Sequence, residues 1–79
     1  MYSVYVVRAD KCDYDQYDAV VVIAKSKKQA LDIVEHDSHK YGGERYEYFY
    51  KEQYPLGVEC VCRCNASEPQ VVLASFNAG

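Results

Sequence analysis

The chain predicts an α+β fold for residues 1–79, taken as one domain: an antiparallel sheet of about four strands with one amphipathic helix packed on one face, in ββαββ order. Three observations predict it. Several segments of strand length are β-branched or alternate apolar and polar residues. One segment carries an apolar stripe at helical spacing behind a capping signal, and the stretches between are rich in turn-forming residues.

Tyr2 to Arg8 alternates Tyr2, Val4 and Val6 against Ser3, Tyr5 and Val7, a β-rich composition that reads as a strand. The same opening, "MYSVYVV", has no basic leader and no small-residue cleavage site, so it reads as strand and not as a signal peptide. Ala19 to Ala24, "AVVVIA", is a continuous aliphatic run that suits a central strand buried on both faces. It pairs antiparallel with the first strand, and the Asp-rich segment between them becomes a long hairpin loop. In "SKKQALDIVEH", Ser26 and Gln29 have the spacing of a capping box, in which each side chain satisfies a free backbone NH of the first turn. Ala30, Leu31, Ile33 and Val34 gather on one face, Lys27, Lys28, Asp32 and Glu35 lie away from it, and "YGG" at Tyr41 to Gly43 supplies the stop. The middle, "ERYEYFYKEQYP", alternates Tyr46, Tyr48 and Tyr50 against Glu47, Phe49 and Lys51, which favours an extended segment, while its Glu, Lys and Gln leave a short helix as the alternative. Val58 to Cys64 and Val71 to Phe76 read as two strands joined by the turn "NASEPQ", a second hairpin.

Composition narrows the function. An apolar fraction of 49% beside 27% charged residues fits a folded chain, and a mean hydropathy of -0.38 fits a soluble one. The longest aliphatic run is far shorter than the roughly 20 residues that span a bilayer, so the expected setting is the cytoplasm. A net charge of -3 argues against direct binding to nucleic acid or an anionic membrane, both of which select basic surfaces. The charge is concentrated: in "DKCDYDQYD", Asp10, Asp13, Asp15 and Asp18 outweigh Lys11. Tyr14 and Tyr17 are interleaved with these acids, and tyrosine is enriched where interfaces are strongest. Nine tyrosines in 79 residues also exceed what one small core can hide, which points to surface contact and to a homodimer.

"DYDQYDAVVVIAKSKKQAL" and the closing "VVLASFNAG" together resemble a group of small phage and prophage accessory proteins of unknown activity. In that group a strand leads into an Asp-Tyr-rich turn, a second strand, a Ser-initiated helix and a last strand ending in LASFNAG or nearly so. The match covers Tyr2 to Val34 and Val71 to Gly79, and Cys12 stands where those proteins tend to carry tryptophan. The resemblance implies a protein of a mobile element acting in the cytoplasm of a bacterial host. It implies no reaction.

No catalytic signature is present. Asp13, Asp15 and Asp18 lack the glycine and the bidentate glutamate that a calcium loop of EF-hand type needs. Cys60, Cys62 and Cys64 at strand spacing read as buried packing on one face, all four cysteines are expected as free thiols, and neither metal nor cofactor is expected. His36 and His39 fall where the helix runs out, a position the helix dipole favours without catalysis. The expected activity is therefore non-enzymatic: an acidic, tyrosine-rich phage inhibitor of host defence, an anti-CRISPR that binds a Cascade-type CRISPR effector and blocks target DNA. Its expected partner-binding residues are Asp10, Asp13, Tyr14, Asp15, Tyr17, Asp18, Glu44, Glu47 and Tyr48. The alternative is a small-ligand binder that sequesters a defence signalling nucleotide, for which Lys25, Lys27 and Lys28 are the candidate phosphate contacts.

Overall fold

The aliphatic segments near the start of the chain take the centre of a sheet. In a computed structural model that describes residues 1–77, β1 (Tyr2–Arg8) and β2 (Gln16–Ala24) form an antiparallel hairpin in register from Ser3 opposite Ala24 to Arg8 opposite Ala19. β3 (Gly57–Cys64) pairs antiparallel with β1 and β4 (Gln70–Asn77) antiparallel with β2, giving the order β3-β1-β2-β4. The fold is the α+β class read from the sequence. Ala78 and Gly79, the last residues of the LASFNAG motif, lie outside the described residues.

The helix begins where the capping signal stands. Ser26 Oγ accepts from the Gln29 backbone NH at 3.1 Å, while Gln29 Oε1 accepts from the Lys25 backbone NH at 2.6 Å, one residue before the cap. α1 (Lys27–Asp32) widens into a π-helical turn at Ile33–Asp37 and tightens into a 3-10 turn at Ser38–Tyr41. Gly42, at φ +90°, ends it in the left-handed conformation that glycine adopts without strain. Ala30, Ile33 and Val34 of the helical segment bury against Tyr5, Val7, Val20, Val22 and Ala24 of the central strands. The side chains alternate along each strand, so Val4, Val6, Val21 and Ile23 project from the opposite face, where they are only half-buried. β2 is thus central but not enclosed on both faces: a two-layer fold of one sheet and one helix covers a single side.

Three further expectations change. β3 and β4 do not pair as a hairpin. β1 and β2 hydrogen-bond to each other along one edge only, and each recruits an outer strand on its free edge, which puts β3 and β4 on opposite sides of the sheet. Residues 65–69 therefore link the two edges. The cysteines do not pack in the core: Cys60 and Cys62 are exposed, and Cys64 is half-buried. Their place on an edge strand is the reason, and a bulge keeps them from sharing one face. Val4 lies opposite Cys62 but Tyr5 opposite Cys60, so Val61 is an extra residue in an outer strand and the even spacing of the cysteines no longer selects one face. The cysteines are all free.

The tyrosine-rich middle is not an extended strand. Tyr48 and Phe49, adjacent in sequence, are both buried, which strand alternation does not permit, while Tyr46 and Tyr50 are exposed. The segment instead runs through bends that seat Tyr48 and Phe49 in the core, and closes with a 3-10 turn at Lys51–Gln53.

Candidate functional site

The acidic loop is shorter than its sequence suggests, because β2 starts at Gln16 and takes Tyr17 and Asp18 into the strand. Asp18 is the extra residue of a bulge against β4, and its carbonyl accepts from the Ala9 backbone NH at 2.9 Å, extending the hairpin ladder past β1. The remaining turn is stitched by its own side chains. Asp13 Oδ1 accepts from the Tyr14 backbone NH and Gln16 Oε1 from the Asp13 backbone NH, each at 2.9 Å. Asp15 takes φ +61°, a left-handed position that aspartate tolerates better than most residues.

Gln53 fastens this turn to the tyrosine segment. Its side chain is fully buried, with Nε2 donating to the carbonyls of Tyr17 at 2.7 Å and Lys11 at 3.2 Å, and Oε1 accepting from the Tyr50 backbone NH at 2.8 Å. Its own carbonyl accepts from the Asp10 backbone NH at 3.0 Å. Glu52 adds a surface tie by accepting from Gln16 Nε2 at 3.2 Å.

The clamp creates a cleft of about 430 Å³. It is lined by Asp15, Gln16 and Tyr17 from the acidic turn and the start of β2, by Tyr46, Glu47, Tyr48 and Tyr50 from the tyrosine segment, and by Phe76 of β4. Tyr17 sits at its centre, edge-to-face with Tyr48 at 5.0 Å and with Phe76 at 4.9 Å between ring centroids. The hydroxyls of Tyr17 and Tyr46 share a hydrogen bond of 2.8 Å. Tyr48, only 3% exposed, is held from beneath: its hydroxyl accepts from the Glu44 backbone NH at 2.8 Å, and Ser38 Oγ donates to the Glu44 carbonyl.

Of the nine partner-binding residues expected from sequence, the cleft brings together Asp15, Tyr17, Glu47 and Tyr48. The others stand apart from it. Asp10, Asp18 and Glu44 are exposed nearby, Tyr14 projects into solvent at 71% exposure, and Asp13 lines a separate 420 Å³ depression with Lys11, Cys12, Gln16 and Glu52. Tyr46, Tyr50 and Phe76 were not singled out from sequence, although the tyrosine alternation and the "SFNAG" ending are the signals that contain them. Gln53 had no signal at all, since a glutamine before Tyr-Pro reads as a surface residue.

Electrostatics favour a cation here. Among the described residues no lysine or arginine lines the cleft. The Tyr46 hydroxyl is pushed up to about 12, first by its hydrogen bond to Tyr17, then by desolvation and by the nearby negative charge of Glu44. Tyr54 also rises to about 12, through burial and a 2.7 Å hydrogen bond donated to Glu35 Oε2. In an alkaline titration followed by tyrosinate absorbance, Tyr46 and Tyr54 are expected to ionise near pH 12. Tyr17→Phe should return Tyr46 toward its ordinary range and leave Tyr54 unchanged. Because the folded-state value of Tyr54 exceeds its unfolded value of about 10, its stabilisation is complete below pH 10 and is lost as pH rises toward 12. Tyr54→Phe should flatten the fall in stability across that window, and an unchanged profile would show that folding does not raise the Tyr54 hydroxyl.

Comparison with protein-family models, with curated proteins and with solved structures gave no match for this chain. Among the described residues no helix is long and apolar enough to cross a membrane.

Proposed function

We propose that the chain is a non-enzymatic phage inhibitor of host defence, an anti-CRISPR that binds a Cascade-type effector complex and blocks its access to target DNA. One observation carries this reading: two acidic, tyrosine-rich segments, far apart in sequence, converge on one cleft whose lining, among the described residues, has carboxylates and aromatic rings but no cation. Effectors of this kind hold nucleic acid in basic channels and read a short DNA motif with cationic side chains. Carboxylates set on a fixed surface can occupy such a channel as phosphates do, and tyrosine rings can meet the groups that otherwise stack on bases.

The nucleotide-sequestration alternative finds less support. A phosphate needs a cationic or backbone-NH cradle, whereas the cleft presents Asp15 and Glu47. Lys25 lies over the Tyr2 ring at 5.6 Å from its centroid, and Lys27 and Lys28 are exposed side chains at the helix start.

The test is capture of effector complexes from a host lysate by the tagged chain, with target-DNA binding by the captured complex as readout. Changing Asp13, Asp15 and Asp18 together to asparagine should leave the fold intact, because exposed charges contribute about 0.5 kcal/mol or less apiece. Asparagine accepts the Tyr14 backbone NH as Asp13 does and tolerates the left-handed position of Asp15. Capture should weaken about tenfold or more, in line with loss of charge-assisted hydrogen bonds, and the wild-type interaction should itself weaken as salt rises. An undiminished blockade by the triple variant at both low and high salt would remove the acidic turn from the interface.

A further inference from the structure

We propose that the cleft between Asp15 and Phe76 is a preformed cage for an arginine side chain presented by the partner protein, an inference that rests on the reading of this site as a protein-binding surface. Its lining is rich in aromatic rings held by one another. Tyr17 is pinned between Tyr48 and Phe76, and its hydroxyl is tied to that of Tyr46, whose ring lies 6.0 Å from that of Tyr48. Of the lining rings, Tyr46, Tyr50 and Phe76 are exposed and available to a cation, while the buried Tyr48 braces Tyr17 and Tyr46 from within.

Two carboxylates complete the site. Asp15 and Glu47 both belong to the lining, and neither is in an ion pair with a lysine or arginine among the described residues.

Arginine fits better than the other cations. A guanidinium is planar, weakly hydrated and able to stack on tyrosine while donating to two carboxylates, whereas a lysine ammonium is compact and strongly hydrated. Trimethyl-lysine would use the rings but has no hydrogen to give to Asp15 or Glu47. The volume of about 430 Å³ leaves room for backbone beside the side chain, so a residue within a peptide is accommodated.

The experiment titrates the chain with a short neutral peptide carrying a single central arginine, and with the same peptide carrying lysine, trimethyl-lysine or citrulline. Binding is followed by NMR of the tyrosine rings. The arginine peptide is expected to bind about fivefold or more tighter than the lysine peptide, to shift the ring signals of Tyr17 and Tyr46, and to lose binding on replacement by citrulline. Tyr46→Leu and Glu47→Gln, both at exposed positions, should each weaken it while the thermal transition stays in place. Equal binding of lysine and arginine, tighter binding of trimethyl-lysine, shifts confined to other residues, or no binding would each overturn the cage. Effector capture is run in parallel: capture without arginine binding overturns the cage and leaves the proposed function standing, whereas arginine binding without capture supports the cage and removes that function.

Discussion

Gln53→Leu is expected to cause the largest loss of stability of any single substitution near the site. Leucine keeps the approximate volume, so no large cavity opens, but it leaves the Tyr50 NH and the Tyr17 and Lys11 carbonyls without their present partner. A buried polar group deprived of its bond costs about 1–3 kcal/mol, so three would cost about 3–9; because Lys11 and Tyr50 are exposed residues whose backbone water can reach, the sum falls at roughly 3–5 kcal/mol. A small domain has only about 5–15 kcal/mol to lose, so thermal unfolding should move down by roughly 15–30 °C. Gln53→Glu separates the hydrogen bonds from the packing. Its carboxylate faces two carbonyl oxygens with no hydrogen to offer, which holds the folded-state carboxyl protonated to higher pH than in the unfolded chain. The variant should therefore be least stable at neutral pH and recover part of the loss on acidification. Urea midpoints across pH test both statements. A Gln53→Leu midpoint equal to wild type would show that the amide is not the clamp between loop and tyrosine segment.

Gly43→Ala is expected to be the second most damaging change, and for a different reason from its neighbour. A Cβ at Gly43 would stand 2.6 Å from the Tyr48 hydroxyl, 2.8 Å from Ser38 Cβ and 2.9 Å from Val71 Cγ2. These atoms belong to a buried ring, the helix end and β4, so none can yield alone. Overpacking of this kind costs about 1–3 kcal/mol. At Gly42 an added Cβ meets nothing within 4 Å, but φ +90° makes alanine strained there by roughly 1–2 kcal/mol. The two variants separate by their effect on the cleft. Gly43→Ala should shift the Tyr48 ring signals and weaken any ligand of the cleft, whereas Gly42→Ala should lower the melting temperature alone. Identical ring spectra in both would mean that Tyr48 is not seated against Gly43.

The parts of the fold legible in sequence are those governed by local chemistry. "AVVVIA" announces a central strand, and Ser26 with Gln29 marks the helix start within a residue of where it occurs. The destinations of β3 and β4 are not local. Both strands are readable as strands, but which edge each joins depends on pairings with β1 and β2 that no short window contains. The bulge at Val61 and the exposure of the cysteines on an edge strand are hidden for the same reason. In the tyrosine segment the alternation of Tyr46, Tyr48 and Tyr50 is misleading, because burial of Tyr48 and Phe49 is set by what lies beneath them in the fold. The acidic half of the site shows as a run of charge. Its other half is legible only as composition, since Gln53 joins the two across more than thirty residues of chain.

The most direct test of the account is backbone hydrogen exchange of the chain, free and bound to the captured effector complex. If the cleft is the binding surface, protection on binding should be concentrated in residues 10–18 and 44–53, with smaller changes along β4 near Phe76. Protection confined to β3, or to the half-buried sheet face of Val4, Val6, Val21 and Ile23, with residues 10–18 and 44–53 exchanging as in the free chain, would contradict it.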